Sequence, residues 1–286
     1  MLLSVIIPTY KRRETLSICL KHLAPETQNI SPDIFEAVVT DDAYSGAPSE
    51  ALVENYSWLR HVPGPQKGPA ANRNNGAKAA RGDWLLFLDD DCVPQPSFLS
   101  AYIEAIHKNP GYLIFEGSTL PERPQFRLDE EAPINDQGGY LWSCNFLIKR
   151  DLFLEMGGFC ELYPSACLED VDFREQLKDR NLKFLFVPEA SVIHPWRPLA
   201  PEGKYLKMQQ VSYAILFQRY PRLKPSFLMT WRTILRGLAM ALFVEAPQMK
   251  FRGFWRFLVR QVTLLQYPFP TRQSSPETKP ANSGTR

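Results

Sequence analysis

The first 120 residues alternate short apolar runs with amphipathic stretches, and this alternation constrains the fold more than any other feature of the sequence. Apolar runs typical of buried strands lie at 2–7, 37–39, 59–62, 84–88 and 112–115. Stretches with helical spacing or many small residues lie at 12–23, 49–56, 68–80 and 97–108. Strands that are apolar throughout and alternate with helices predict an α/β domain, a mostly parallel sheet covered on both faces.

Polar residues directly follow three of these predicted strands. They are Pro8-Thr9-Tyr10, Asp41-Asp42 and Asp89-Asp90-Asp91. In open α/β sheets, ligands bind beyond the carboxyl ends of the strands. The sequence therefore predicts one binding site at this edge of the sheet, built from all three segments.

The acidic triple at 89–91 suggests a cation. Adjacent carboxylates repel one another, and a hard divalent ion such as Mg²⁺ or Mn²⁺ relieves that repulsion. The alternative interpretation is a solvated acidic turn. The apolar run Trp84–Leu88 favours the metal interpretation, because it fixes Asp89 at the edge of the sheet where ligands bind.

A second acidic group, Glu169-Asp170-x-Asp172, opens a predicted helix at 168–180. Acids in a first turn stabilise a helix dipole without any further role. The functional interpretation is a general base, a carboxylate that accepts the proton of a hydroxyl group. Taken alone, His194 favours a structural role, and Arg73 is compatible with a phosphate contact or a surface ion pair.

Other common sites receive no support from the sequence. The glycines make neither a G-x-G-x-x-G nor a G-K-[ST] pattern, so dinucleotide and P-loop sites are not predicted. The five cysteines include no C-x-x-C pair, which argues against a disulfide framework or a zinc site and fits a reducing cytosol.

Taken together and in order, seven segments resemble the family 2 inverting glycosyltransferases. They are Ser4–Arg12, Val38–Asp42, Gly68–Gly76, Leu86–Asp91, Arg150–Phe159, Glu169–Arg174 and Val187–Pro195. They include the D-x-D and E-D-x-D motifs of that family. The chain departs from the family at Ala43, Cys92 and Cys160, where Gly, an acid and Asp are usual.

This resemblance implies a GT-A fold, which is Rossmann-like, and a nucleotide-diphosphate sugar as donor. It implies that Pro8, Thr9 and Tyr10 line the nucleotide pocket. It further implies that Asp41 hydrogen-bonds the base and that Arg73 lies near the nucleotide.

The resemblance also implies the chemistry. Asp89 would face the ribose, Asp90 would lie beside it in the nucleotide site, and Asp91 would hold Mn²⁺ or Mg²⁺ at the diphosphate. His194 would be a further metal ligand. Asp170 would be the general base, with Glu169 as the alternative. The acceptor would be a hydroxyl group of a glycan or a lipid-linked sugar, in surface glycan or glycolipid synthesis.

Charge divides the chain unevenly. Residues 1–203 carry 19 basic and 29 acidic side chains, whereas residues 204–286 carry 14 basic and 2 acidic, so net charges of −10 and +12 nearly cancel. We therefore predict a catalytic domain at 1–202, a basic amphipathic helical appendage at 203–270 and a disordered tail at 271–286. The predicted helices of the appendage are 203–219, 226–245 and 250–266, and Arg252, Arg256 and Arg260 form a stripe on the last.

An anionic membrane surface is the partner that this composition favours, with the protein cytoplasmic and peripheral at the inner face of the membrane. Arg232 and Arg236 argue against a spanning helix, and the apolar content argues against nucleic acid. The alternative is that the basic helices dock on the acidic domain or on another copy. Two other functions stay open, a nucleotidyltransferase and a catalytically silent, membrane-docked nucleotide-sugar-binding protein.

Overall fold

A computed structural model describes residues 3–43, 56–199, 203–224 and 235–266. Its strands are β1 Leu3–Thr9, β2 Phe35–Asp41, β3 Leu59–Pro63, β4 Trp84–Leu88, β5 Val93–Pro94, β6 Ile114–Pro121, β7 Glu130–Glu131, β8 Asn145–Lys149, β9 Leu185–His194 and β10 Arg197–Pro198. Its first helices are α1 Arg13–Leu23, α2 Pro25–Gln28, α3 Pro69–Ala79, α4 Phe98–Lys108, α5 Arg150–Glu155 and α6 Glu169–Asp179. The helix predicted at 49–56 lies almost entirely outside the described residues.

In the described part of the chain, eight strands form one mixed sheet in the order β3-β2-β1-β4-β8-β6-β9-β5. The first four are parallel to one another, and β8 runs antiparallel to both of its neighbours. This arrangement confirms the predicted α/β class and its mostly parallel sheet. The antiparallel β8 follows a long loop instead of a crossover helix, which lets the chain reverse direction.

Strand register determines which polar groups meet at the carboxyl edge. Thr9 pairs with Asp41 across β1 and β2, and Ile6 pairs with Phe87 across β1 and β4. Continued beyond the strands, the second register brings Thr9 beside Asp90. The three polar segments therefore reach one edge of the sheet, as the sequence predicts.

Hydrophobic layers cover both faces of the sheet. One layer packs α1 and α4 against β1, β2 and β4, with Leu16, Leu20 and Tyr102 fully or almost fully buried. The other packs α3, α5 and α6 on the opposite face. Its centre is a group of five phenylalanine rings, namely Phe87, Phe146, Phe153, Phe159 and Phe173. Aromatic burial of this size supplies much of the stability of a domain.

The C-terminal region is helical and basic, as predicted. It contains α7 Gly203–Arg219, a short 3₁₀ turn Pro221–Leu223, a helix α8 described over 235–248 and α9 Phe254–Gln266. The middle of α8, Ala241–Glu245, is π-helical. Between α8 and α9, the backbone at Lys250, Phe251 and Gly253 has positive φ, which ends α8 and shortens the predicted third helix.

Several predictions about this region fall on residues that are not described. The boundary at 202, Arg232, the side chain of Arg260 and the tail at 271–286 all lie outside the described residues or side chains. Within the described part of the chain, every helix is too short or too polar to cross a bilayer.

Candidate active site

A cavity of about 510 Å³ opens at the carboxyl edge of β1, β2 and β4. Its walls are formed by Pro8, Thr9, Tyr10, Arg12, Asp42, Gln66, Gly68, Pro69, Asn72, Arg73, Asp89, Asp90, Ala166 and Arg197. Six residues that the sequence places in a nucleotide site are among them. A cavity of this volume is in the range that holds small-molecule ligands.

Asp41 and Asp42 behave differently at the end of β2. Asp41 is 2% exposed and its Oδ1 accepts the backbone N–H of Ala43 at 2.8 Å. Asp42 lines the cavity, where its carboxylate accepts the backbone N–H groups of Gln66 at 2.9 Å and Gly68 at 3.1 Å. Asp42 is therefore a wall residue, which the sequence placed at this edge without an individual role, and the role expected of Asp41 stays a prediction.

Arg73 joins the two acidic motifs. Its guanidinium donates to Asp89 Oδ1 at 2.6 Å and to Glu169 Oε1 at 3.0 Å, and the side chain is only 3% exposed. Burial alone would raise the pKa of Asp89, but the charges of Arg73 and Arg197 outweigh it and lower that pKa below its usual value. Arg73 is thus a buried cation between two carboxylates, not the surface ion pair that was the commonplace expectation.

Asp90 is held from two sides. It accepts the hydroxyl of Thr9 at 2.7 Å and the guanidinium of Arg12 at 3.1 Å. Burial raises the pKa of Asp90 to about 6, against the opposing effects of these two contacts. Asp90 therefore ties the end of β4 to the end of β1 and stiffens the floor of the cavity.

Asp91 and His194 face each other with unused lone pairs. The Nδ1 of His194 lies 2.7 Å from the carbonyl oxygen of Pro195, which only accepts, so this nitrogen carries the proton. Burial lowers the pKa of His194 although Asp91 opposes that shift, so the ring is neutral and Nε2 is a free acceptor. Nε2 lies 3.6 Å from Asp91 Oδ1, and both atoms are buried without a hydrogen-bond partner among the described residues.

Two facing acceptors with no proton between them repel unless a cation joins them. A carboxylate oxygen and an imidazole nitrogen are both ordinary ligands of a divalent metal. Among the described residues, Cys92 brings a third donor atom to this group, all three within 4.8 Å of one another. The hydrogen bond to Cys144 and burial raise the pKa of the Cys92 thiol, so it is Asp91 and His194 that fit the Mn²⁺ or Mg²⁺ that the sequence predicts.

Arg12 and Arg197 are the cations of this site that the sequence did not assign. Arg197 contacts Asp91 Oδ2 through both Nε, at 3.0 Å, and Nη2, while Arg12 Nη1 lies 3.2 Å from the same oxygen. Arg197 is placed there by β10, which pairs with β7 in a small second sheet. Arg12 belongs to the first of the seven family segments, Ser4–Arg12, whereas Arg197 lies in none of them.

Glu169 and Asp170 begin α6 and differ in their contacts. Glu169 is 2% exposed, and burial together with the charge of Asp170 raises its pKa to about 7. Asp170 is half-buried, and burial raises its pKa as well. Its carboxylate accepts backbone N–H groups, that of Val171 at 2.7 Å and that of Ser143. Asp170 thus accepts one backbone donor from α6 and one from the turn before β8, whereas Glu169 is paired with Arg73.

Two asparagines of α3 have structural roles that the motif pattern did not reveal. Asn72 donates to the carbonyl oxygens of Thr9, at 3.3 Å, and Thr40, at 2.9 Å, and so joins the ends of β1 and β2. Asn74 exchanges hydrogen bonds with the backbone N–H and C=O of Phe159, both at 2.9 Å. This contact holds the segment that leads from α5 to α6.

The chain is similar in sequence to proteins described as glycosyltransferases. A relative from Haemophilus influenzae, described as an uncharacterized glycosyltransferase, is 31% identical over 190 residues, 60% of this chain and 60% of that protein. Validoxylamine A glucosyltransferase of Streptomyces hygroscopicus subsp. limoneus is 34% identical, and the match covers 87% of this chain and 63% of the relative. This chain thus spans about three fifths of the length of these relatives.

Solved structures show the same fold at low identity. TarS 1–349 of Staphylococcus aureus in complex with UDP-GlcNAc superposes with a TM-score of 0.55 at 22% identity, covering 75% of this chain and 66% of the other. The mannosyltransferase PcManGT from Pyrobaculum calidifontis, in complex with GDP-Man and Mn²⁺, gives 0.56 at 18% identity, covering 92% and 74%. The GT-A fold is therefore confirmed.

A family model extends this likeness from fold to family. The model of glycosyl transferase family 2 matches residues 4–156, more than half of the chain, from β1 through α5. The matched stretch contains the strand ends, α3 and the acidic triple that build the cavity. The chain belongs to glycosyl transferase family 2.

Proposed function

We propose that this chain is an inverting, metal-dependent glycosyltransferase that moves a sugar from a nucleotide-diphosphate donor to a hydroxyl acceptor in surface glycan or glycolipid synthesis. The observation that carries the proposal is that Asp89, Asp90 and Arg73 line one cavity, and that Arg73 joins Asp89 to Glu169 at the start of α6. A relative in complex with UDP-GlcNAc and another with GDP-Man and Mn²⁺ support the donor class.

In this proposal the cavity binds the donor. Tyr10, whose side chain is 55% exposed, offers an aromatic face to the base beside Pro8 and Thr9. Arg12 and Arg197 place two guanidinium groups on the wall, where they suit the charge and geometry of a diphosphate. The sugar would then lie toward α6, beyond the diphosphate.

Asp91 Oδ1 and His194 Nε2 would hold the divalent ion, Mn²⁺ or Mg²⁺. When bound, such an ion neutralises charge on the departing diphosphate. The chain's own contribution is the neutral His194 tautomer, fixed by the Pro195 carbonyl, which keeps Nε2 available. Asp89 and Asp90 stay on the nucleotide side, each already oriented by a guanidinium group.

We assign the general base to Asp170 and keep Glu169 as the alternative. Glu169 is buried and paired with Arg73, which ties its carboxylate to the cavity wall. Asp170 is more open, and its carboxylate accepts the backbone N–H groups of Val171 and Ser143, which stabilise the ionised form. The acceptor oxygen attacks the anomeric carbon, its proton passes to Asp170, and the bond to the diphosphate oxygen breaks on the opposite face, so the configuration inverts.

Asparagine and glutamine substitutions test this assignment. We expect Asp170→Asn to lower kcat by about 10²–10⁴, the range for a general base, and to leave donor binding unchanged. Glu169→Gln keeps an oxygen for Arg73 and should cost less. Asp179→Asn, half-exposed at the far end of α6, is the matched control. Near-normal turnover in Asp170→Asn would refute the assignment of Asp170 as the general base.

The same assay separates the proposed reaction from its alternatives. A glycosyltransferase releases a nucleoside diphosphate, whereas a nucleotidyltransferase releases pyrophosphate. A catalytically silent binding protein would release neither nucleoside diphosphate nor pyrophosphate, whether the donor is supplied alone or together with the acceptor. Screening nucleoside diphosphates with Mn²⁺ for thermal stabilisation would identify the base and nucleotide first, since binding to the native state raises its stability.

We also propose that the C-terminal helices contact an anionic membrane surface, with the enzyme at its cytoplasmic face. Large apolar side chains are exposed there, among them Phe243 at 75% and Trp255 at 73%. The exposed basic residues Lys250 and Arg252 lie between them in sequence. Apolar side chains flanked by cations suit the interface of an anionic bilayer.

Vesicle flotation tests the membrane proposal. The full chain should float with vesicles of phosphatidylglycerol and phosphatidylcholine and stay behind with phosphatidylcholine alone. The double variant Phe243→Ser, Trp255→Ser should lose flotation, while Ile18→Ser, at a 49% exposed apolar position on α1, should not. Equal flotation of both variants would refute the assignment.

A further inference from the structure

We infer that Arg219, in the C-terminal appendage, is a positioning residue for the general base of the catalytic domain. It acts through Asp172 and fixes the first turn of α6. The inference rests on the proposed function, because it takes the start of α6 as the site of the base. It adds a residue outside the matched family region, since that region ends at residue 156.

Two hydrogen bonds join Arg219 to Asp172. Arg219 Nε donates to Asp172 Oδ2 at 2.5 Å, and Nη2 donates to Oδ1 at 3.3 Å. Asp172 has no exposed surface, although the Arg219 side chain is 37% exposed. A fully buried carboxylate needs a cation or several donors, and the described residues supply Arg219 as its guanidinium partner.

Two tyrosines extend this contact on either side of Asp172. Tyr163 donates its hydroxyl to Asp172 Oδ2 at 3.0 Å, and Tyr220 donates to the Asp172 backbone carbonyl at 3.2 Å. Tyr163 belongs to the loop that leads from α5 into α6, and Ala166 of the same loop lines the cavity. The appendage therefore holds the helix and its entry loop together.

Two arginines from different elements thus bind the first turn of α6. Arg73 on α3 binds Glu169, and Arg219 on α7 binds Asp172. Asp170 lies between these two residues and is left to backbone donors. Two bonds at positions three residues apart on a helix fix both its rotation and its translation, so the position of the Asp170 carboxylate relative to the cavity follows from them.

Residues 203–224 then belong to the catalytic unit and not to a separate appendage. Arg222 strengthens the same attachment farther along α6, where Nη2 donates to Glu175 at 3.1 Å and to Asp179 at 2.7 Å. Because Arg222 reaches the distal half of the helix, it attaches the same segment without touching the first turn. It is therefore the matched control.

The experiment compares Arg219→Ala, Arg219→Lys and Arg222→Ala in the full chain. We expect Arg219→Ala to lower kcat by about 100-fold, the loss associated with a displacement of about 1 Å, while the KM for the donor changes little. Arg219→Lys keeps the positive charge but loses the paired hydrogen bonds of the guanidinium group, so its kcat should lie between those of Arg219→Ala and the wild type. Arg222→Ala should keep kcat near the wild-type value.

Hydrogen exchange supplies a readout that does not depend on turnover. Amides of 168–174 should exchange faster in Arg219→Ala than in the wild type, and those of 175–180 should respond more to Arg222→Ala. If Arg219→Ala does not fold, Arg219→Lys carries both measurements. A merely structural role would raise exchange throughout the chain and leave kcat normal at temperatures where the variant is folded.

The outcomes separate this inference from the proposed function. An inactive wild type with the local exchange pattern intact would overturn the transferase proposal and keep the contact. An active wild type whose kcat is unchanged in Arg219→Ala would overturn the positioning role. Equal losses of kcat in Arg219→Ala and Arg222→Ala would also overturn it, because the effect would then belong to the attachment as a whole.

Discussion

Adjacent glycines between α5 and α6 allow the steric and conformational costs of one turn to be separated. Gly157 and Gly158 both have positive φ, at +83° and +71°. A Cβ on Gly157 would meet no atom of the described residues within 4 Å, whereas a Cβ on Gly158 would lie 2.5 Å from Asn74 Oδ1. Alanine at either position suffers the left-handed backbone cost of about 1–2 kcal/mol, but only Gly158→Ala adds a clash.

The clash at Gly158 is hard to relieve. Asn74 is 4% exposed, and its amide is bound to both backbone groups of Phe159 and to Glu161 at 2.9 Å. Overpacking against such a fixed neighbour costs about 1–3 kcal/mol. We therefore expect Gly157→Ala to lower the free energy of unfolding by about 1–2 kcal/mol and Gly158→Ala by about 2–5 kcal/mol.

Urea denaturation followed by circular dichroism measures both losses, and thermal melting supports them. Each kcal/mol should lower Tm by about 2–4 °C in a domain of this size. The difference between the variants isolates the clash, since the backbone cost is common to both. Equal free energies of unfolding would show that Asn74 moves aside freely and would refute the view that it holds this turn.

Two further predictions concern ionisation and metal binding. Burial and the charge of Asp170 raise the pKa of Glu169 from 4.5 to about 7, so in the metal-free protein its protonated form stabilises the fold at low pH. That contribution, at most about 3 kcal/mol, is lost as pH rises from about 4.5 to about 7. Glu169→Gln does not lose this contribution, so its free energy of unfolding should rise relative to that of the wild type between these two pH values. Urea denaturation at both pH values measures the difference between the two proteins, and an equal difference at both would contradict this reasoning. Asp91→Ala and His194→Ala should each abolish the Mn²⁺-dependent thermal stabilisation by the nucleoside diphosphate that the screen identifies, which amounts to about 2.7 kcal/mol at 100 times Kd. The exposed Asp136→Ala is the control, and retained stabilisation in either variant would contradict the proposed metal ligands.

The sheet edge was predictable because its signals are local. Each polar segment follows its own apolar strand in the sequence, and the parallel order of β2, β1 and β4 brings the three ends together. The resemblance to a family added the order of motifs but not their contacts. It named Asp41, whereas Asp42 is the residue of that pair on the cavity wall.

Arg197 was not predictable, and the reason is physical. It contacts Asp91 across 106 residues of chain, through a two-residue strand β10 whose pairing with β7 leaves no periodic pattern. Arg73 was noticed, but its two carboxylate partners lie 16 and 96 residues away. Ion pairs of this separation depend on the folded topology, which spacing along the chain does not encode.

The charge split of the sequence has its explanation in the same kind of contact. Arg219 and Arg222 meet Asp172, Glu175 and Asp179 on α6, so part of the positive C-terminal charge neutralises the acidic domain. Arg256 approaches Asp129 at 3.8 Å. Docking on the acidic domain, one of the two interpretations that the sequence left open, thus accounts for these arginines.

The exposed apolar side chains of α8 and α9 have a different distribution from these docked arginines. Ala241 and Ala246 pack on Leu128 in a small core, which leaves Phe243 and Trp255 outward. The helices α8 and α9 therefore carry an apolar outer surface, whereas the arginines that contact α6, Arg219 and Arg222, lie in residues 203–224. Because Arg256 and the small core around Leu128 attach these two helices to the catalytic domain, a membrane bound at their apolar surface would hold that domain close to the lipid. An enzyme whose acceptor is lipid-linked requires that geometry, whereas an enzyme acting on a freely diffusing acceptor does not.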